Sequence, residues 1–176
     1  WSGIGTGMIV NSSNSAAPAT VTINNGQFRE NYLDGLHVDC KGNITLKNII
    51  ANQNTTGDGV YLDNCQYGVS ACTGTGGVTL SAVWLADMLN EFYDNGGYGL
   101  EVFSKGAVTL SNLDAYANTG GGVYVRNDYG TGNATVNTTY IGSWYNWLDN
   151  NEGDTGLLIL SGGNILVEYV AGNNNA

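Results

Sequence analysis

Two aspartates hold matching places in a repeated motif. Asp39 closes the run Gly35-Leu36-His37-Val38-Asp39, and Asp63 closes Gly59-Val60-Tyr61-Leu62-Asp63. If these runs lie on neighbouring parallel strands in register, the two carboxyl groups fall roughly 5 Å apart. Like charges that close raise each other's proton affinity or recruit a cation. Such a pair also suits glycoside hydrolysis, where about 5 to 5.5 Å favours retention and about 6.5 to 9.5 Å inversion. Asp39 and Asp63 are therefore candidate acid and base, with Arg126 further along the same column as a clamp for an acidic sugar. Tyr61, Glu101 and Tyr124 share the adjoining outward column and would offer flat rings and a carboxylate to a ligand. The competing reading is a solvated face of an acidic strand array, because aromatic residues favour strands in any case. No lysine or arginine cluster of the kind used by lyases surrounds the acidic pair.

His37 is the only histidine, so a His-centred metal site is excluded within this chain. A Ser-His-Asp arrangement would need His37 and Asp39 beside an activated serine, and none stands in a suitable turn. Gly3-Ile4-Gly5-Thr6-Gly7 lacks the helix that a dinucleotide-binding loop must open, and reads as a turn before the first strand.

Repetition positions these residues. Six glycine-led runs begin at Gly7, Gly35, Gly59, Gly99, Gly122 and Gly156. Between them lie Val21-Thr22-Ile23, Ile44-Thr45-Leu46, Val78-Thr79-Leu80, Val108-Thr109-Leu110, Ala134-Thr135-Val136 and Ile165-Leu166-Val167. An asparagine recurs after each triplet, at Asn31, Asn54, Asn95, Asn118 and Asn175, with Asn151 a less regular member. A unit of about two dozen residues built from period-two strands cannot bury its own apolar face and must stack on copies of itself. The expectation is an all-β chain forming one domain, a parallel β-solenoid of about six to seven rungs, on the order of 30 Å long. The first and third residues of each triplet point inward, and stacked asparagines form a side-chain ladder at the turn. Thr22, Thr45, Thr79, Thr109 and Thr135 should form an outward file. The rank beside it, Asn24, Lys47, Ser81, Ser111 and Asn137, is too mixed for the double threonine file of an ice-binding surface, and cross-strand pairing explains the threonines without ice.

Insertions interrupt the repeat at about residues 66–76, 82–92 and 138–154. Residues 82–92 have apolar spacing near that of a helix. The insertions hold most of the irregular aromatics, among them Trp84, Trp144 and Trp147, which would either pack as a satellite cluster or form a platform for a glycan or protein partner.

The 176 residues carry fifteen acidic and five basic side chains, a formal charge of −10. Nucleic acid is excluded as a partner, because phosphate recognition needs a basic patch. No apolar run approaches the roughly eighteen residues of a membrane-spanning helix. The chain opens at Trp1 with no signal-like segment and stops midway through a repeat, the expectation for a piece of a longer protein. Of the three cysteines, Cys65 and Cys72 can close a loop, or Cys40 and Cys65 can pair between adjacent rungs, and one thiol is left over either way. Sequons stand at Asn11, Asn43, Asn54, Asn133 and Asn137. No cofactor is implied. Turn aspartates such as Asp58 and Asp114 could hold Ca²⁺ locally, but the calcium-binding nonapeptide repeat is absent.

The repeat Gly42-Asn43-Ile44-Thr45-Leu46-Lys47-Asn48-Ile49, continuing through Asn54 to Gly59-Val60-Tyr61-Leu62-Asp63-Asn64, resembles that of the right-handed parallel β-helix superfamily, the pectate-lyase-like fold. The resemblance covers essentially the whole chain. It implies a single-stranded right-handed β-helix and any site on an outward sheet face. It leaves open polysaccharide lyases, glycoside hydrolases, tailspikes, adhesins and surface proteins, since fold does not choose function. The leading expectation is a non-catalytic extracellular or cell-surface structural or adhesive protein that contacts glycan or protein. A polysaccharide lyase or glycoside hydrolase and a self-associating filament subunit are the alternatives.

Overall fold

The computed structural model describes residues 5–65, 73–83, 89–138, 145–153 and 155–176. The chain opens with β1 (Met8–Asn11), β2 (Val21–Arg29), β3 (Leu36–Asp39), β4 (Ile44–Asn52) and β5 (Val60–Asp63). It continues through β6 (Val78–Ser81), β7 (Asn90–Tyr93), β8 (Tyr98–Phe103), β9 (Val108–Ser111), β10 (Leu113–Tyr116) and β11 (Gly121–Asn127). It closes with β12 (Ala134–Asn137), β13 (Asn146–Trp147), β14 (Leu157–Ser161), β15 (Ile165–Val167) and β16 (Val170–Ala171). Among the described residues there is no helix, and every strand pairing is parallel.

The strands form two sheets. The first runs β1-β3-β5-β8-β11-β14 and contains every glycine-led run. The second runs β15-β12-β9-β6-β4-β7-β10-β13-β16, with β2 paired to β4. It is two stacks joined through the long strand β4, whose first half pairs β6 while Ile50 pairs Glu91 of β7. Asn25 within β2 and Asn48 within β4 adopt left-handed backbone (φ 57° and 53°), and Asn112 does so between β9 and β10. That conformation suits asparagine and turns the chain between the two stacks.

The core follows the period-two pattern. Leu36, Val38, Val60, Leu62, Leu100, Val102, Val123 and Val125 of the first sheet are fully buried, facing Ile44, Leu46, Leu80 and Leu110 of the threonine strands. A third wall consists of Ile49, Ala51, Phe92, Leu113, Ala115 and Leu148, all fully buried. Each large side chain so placed contributes about 1.5–3 kcal/mol. The threonine file is in register from Thr22 to Thr135 and ends on Leu166.

The insertions are narrower than the sequence suggests. Residues 90–92 are not helical: they belong to β7, and their apolar spacing reflects Phe92 pointing into the core. Likewise Trp147 lies on β13, Leu148 is in the core and Asn151 joins the asparagine ladder.

That ladder is continuous. Asn31, Asn54, Asn95, Asn118 and Asn151 each donate from Nδ2 to Oδ1 of the next asparagine, ending on Asn175, at 2.8–3.0 Å. Each backbone N–H in the series reaches the same oxygen. The residue just before each ladder asparagine, namely Glu30, Gln53, Asp94, Ala117, Asn150 and Asn174, is left-handed. At roughly 1–2 kcal/mol apiece this backbone is costly for residues with a Cβ, and the shared amide bonds offset it. Gly7, Gly35, Gly59, Gly99, Gly122 and Gly156 of the first sheet serve close approach and not left-handed bending, whereas Gly121, the first residue of β11, has a φ of 126°. A Cβ on Gly35 would lie 2.6 Å from the Gly59 carbonyl oxygen and 2.7 Å from Asn54 Nδ2.

Candidate functional site

The first sheet sets two outward files. One reads Ile9, His37, Tyr61, Glu101, Tyr124, Leu158, and the other Asn11, Asp39, Asp63, Phe103, Arg126, Leu160. Alternation along β3, β5, β8 and β11 turns these residues away from the core, and parallel register aligns them along the stack.

Aromatic rings fill this face. His37 stacks on Tyr61 with centroids 4.5 Å apart, Tyr61 lies 5.7 Å from Phe103, and Phe103 meets Tyr124 edge-on at 5.9 Å. Tyr98, at the head of β8, stacks on Tyr124 at 5.5 Å. Carboxylates border the rings. Nδ1 of His37 lies 2.9 Å from Asp34 Oδ2, and its Nε2 lies 3.3 Å from Asp39 Oδ2. The hydrogen bond to Asp34 raises the His37 pKa above its ordinary value, opposed by burial and reinforced by the charges of Asp39 and Asp34. Burial, then the neighbouring carboxylates Asp63, Glu101, Asp39 and Asp58, push the Tyr61 hydroxyl upward.

Asp39 and Asp63 are register partners, but their environments differ. Asp39 accepts from Asn11 Nδ2 at 3.2 Å. Asp63 is buried, and its Oδ1 accepts the Cys65 N–H at 2.7 Å, capping the turn that follows β5. Arg126 is separated from Asp63 in its file by Phe103. Its Nε donates to Asp128 Oδ1 at 3.1 Å and its guanidinium lies 4.8 Å over the Tyr129 ring. The expected acid, base and clamp share a file, in which the Asp63 carboxyl caps backbone and the Arg126 guanidinium bonds the Asp128 of its own turn.

The sequence reading placed Asp58 in a turn but missed the hydrogen bonds that link the turns preceding these strands. Asp34 Oδ1 accepts the Asp58 N–H at 2.9 Å, and Asp58 Oδ1 accepts the Tyr98 N–H at 2.7 Å. Asp58 is buried and hydrogen-bonded to Glu101, and burial first, then the Glu101 charge, raises it to about 8. Glu101 is raised as well, chiefly by burial. The matching Asp-Gly pairs ahead of β3 and β5 were the available signal.

A second outward face was also missed, because β7 and β10 were not recognised as strands. Glu91 pairs in register with Asp114, and Asp114 with Trp147. Tyr93 and Tyr116 stack beside them at 4.9 Å, and Tyr145 meets Trp147 edge-on at 5.8 Å. Burial, then the charges of Glu91 and Asp149, raises Asp114 to about 6. Burial also raises Glu91, against the opposing charge of Arg29.

Cys40 is a buried free thiol whose Sγ donates to the Gly42 carbonyl at 3.4 Å, whereas Cys65 is disulfide-bonded. This overturns the Cys40–Cys65 pairing: although β3 and β5 are paired neighbours, the Cys40 thiol turns to its own backbone. Cys72, Trp84 and Trp144 lie outside the described residues. Among the described residues no cluster of His, Cys, Asp and Glu is arranged to hold a metal ion.

Compared with family models, curated proteins and solved structures, the chain matches none of them.

Proposed function

We propose that this chain forms a right-handed, single-stranded parallel β-solenoid that acts outside the cell as a structural and adhesive scaffold, binding neutral glycan on the outward face of its first sheet. The observation that carries this reading is the unbroken strip of rings from His37 through Tyr61 and Phe103 to Tyr124 and Tyr98, bordered by Asp34, Asp39 and Glu101. Aromatic bodies with polar tips, beside carboxylate acceptors, match the apolar faces and hydroxyl edges of sugars. The charge of −10 disfavours polyanionic partners and leaves uncharged saccharides suited to the face. Binding is favoured over hydrolysis because Asp63 caps the Cys65 amide and Arg126 is engaged by Asp128.

The test is a panel of cello-, manno- and xylo-oligosaccharides with polygalacturonate as the acidic control, measured by calorimetry on the chain and on Tyr61→Ala and Tyr124→Ala. Neutral oligosaccharide binding lost in both variants is the expected result. Release of reducing ends or unsaturated products, abolished by Asp63→Asn, would replace binding with catalysis. A silent panel would remove the glycan reading.

Self-association is a second reading, favoured by the exposure of Ile165, Leu166, Val167 and Tyr169 on and beside the edge strand β15. Exposed strand edges bearing apolar side chains template association. A dilution series followed by light scattering separates a concentration-dependent assembly from a monomer.

A further inference from the structure

We propose that His37 is a proton-controlled positioning residue on the first-sheet face: as imidazolium it holds both Asp34 and Asp39, and as neutral imidazole it keeps Asp34 alone and frees the Asp39 carboxylate for a ligand. Both ring nitrogens face carboxylate oxygens, Nδ1 at 2.9 Å from Asp34 Oδ2 and Nε2 at 3.3 Å from Asp39 Oδ2. A neutral imidazole carries one N–H and one lone pair, so it donates to only one of the two. The other contact would then set a lone pair against a carboxylate oxygen. The arrangement therefore belongs to the doubly protonated ring, and loss of one proton breaks one contact.

Which contact breaks follows from what else holds each group. Asp34 is fixed from its far side, because its Oδ1 accepts the Asp58 N–H at 2.9 Å, and its contact with His37 is the shorter one. Asp39 is held otherwise by the exposed Asn11, whose Nδ2 reaches the same Oδ2 at 3.2 Å. The ring is kept in place by its stack on Tyr61, with centroids 4.5 Å apart and planes 19° from parallel. Nδ1 therefore keeps its hydrogen on Asp34, Nε2 turns a lone pair toward Asp39, and the Asp39 side chain is the part that moves. Around the ring stand Asp34 and Asp39 from its own strand and turn, Tyr61 and the Asp39 register partner Asp63 from β5, and uncharged Ile9 and Asn11 from β1. The Asp34 hydrogen bond, opposed by burial and reinforced by the Asp39 and Asp34 charges, holds His37 above the usual 6.5. A raised value makes the bridge fully present below the unfolded pKa and lost as pH rises through the folded one. The switch depends on the glycan reading only for its consequence, a carboxylate acceptor beside the His37 and Tyr61 rings that is offered above the transition and withheld below it.

The experiment follows the ring nitrogens of His37, the only histidine in the chain, by long-range ¹H–¹⁵N NMR, and the Asp39 carboxyl by ¹³C NMR, from mildly acidic to mildly alkaline pH. Both nitrogens should be protonated at the acid end. Nδ1 alone should keep its hydrogen after a transition above 6.5, and the Asp39 carbon should shift with the same midpoint. His37→Gln, which has no titrating ring, should abolish that shift. If this variant fails to fold, Asp39→Asn carries the test, because removing one of the two charges on the ring should lower the His37 midpoint. A midpoint at or below 6.5, a neutral ring protonated on Nε2, or an Asp39 carbon that stays still through the transition overturns the switch. Cellohexaose affinity should rise roughly tenfold above the transition, as one hydrogen bond to a charged group gives, and stay level in His37→Gln. Binding that stays level through a coupled transition overturns the claim that Asp39 is freed for a ligand. Coupled titrations with no binding at any pH sink the glycan reading alone, whereas uncoupled titrations sink the switch whatever binds.

Discussion

Asn95 Nδ2 donates to Asn118 Oδ1 at 2.8 Å, and the Asn95 backbone N–H reaches that same oxygen at 3.1 Å. The amide also donates to the Ala51 carbonyl and accepts from both nitrogens of Asn54. Asn95→Ala therefore removes the acceptor of two Asn54 nitrogens and the donor to the Ala51 carbonyl at once, each buried group left unpaired costing about 1–3 kcal/mol. A loss of at least about 3 kcal/mol in urea unfolding is expected, whereas the exposed Asn24→Ala should change stability by less than about 0.5 kcal/mol.

Close approach at the strand heads gives a second expectation. A Cβ on Gly99 would stand 2.8 Å from the Gly122 carbonyl oxygen and 2.9 Å from Asn118 Nδ2, so the backbone must move. Gly99→Ala should cost about 1–3 kcal/mol. Gly5 meets nothing within 4 Å, and Gly5→Ala should leave the thermal midpoint unchanged.

Phe92 tests whether β7 belongs to the core or to a loop. It is fully buried among the third-wall residues, so Phe92→Ala should cost about 3–5 kcal/mol by chemical unfolding. Its neighbour Tyr93 faces outward in the stacked pair with Tyr116, and Tyr93→Ala should cost about 0.5–1.5 kcal/mol.

The acidic face of the second sheet makes stability depend on pH. Asp114 is raised from 3.8 to about 6, so the folded chain binds the proton more tightly than the unfolded chain. The stabilisation is fully present below about pH 4 and is lost as pH rises through about 6. Two pKa units correspond to about 3 kcal/mol, which solvent screening of this partly exposed group reduces to about 1–2 kcal/mol. Asp114→Asn should flatten that part of the melting-temperature profile between about pH 4 and pH 7.

Strand register was legible because the pattern repeats from strand to strand: Val60-Tyr61-Leu62 and Leu100-Glu101-Val102 alternate in step, and one slip would expose every leucine and valine. The third wall was hidden. Its strands are short, and left-handed Asn48 and Asn112 shift them out of phase with the triplets before them. β7 and β13 were hidden further by the insertions that precede them, so Phe92 read as the end of a helix-like insertion and Trp147 as an insertion aromatic. At the site, alternation placed Tyr61, Glu101 and Tyr124 in one file. It carried no information on where a flexible carboxylate ends. Asp63 turned to the Cys65 amide, and Asp58, lying in a turn, belonged to no alternating run.

The asparagine spine has a sense of direction. Between asparagines, each amide from Asn31 to Asn151 gives a hydrogen to the oxygen of the next one at higher residue number, so the amide-to-amide bonds of the ladder all run a single way. Two such spines can continue one another only when the giving side of one meets the taking side of the other. Head-to-head or tail-to-tail pairings would oppose oxygen to oxygen or hydrogen to hydrogen.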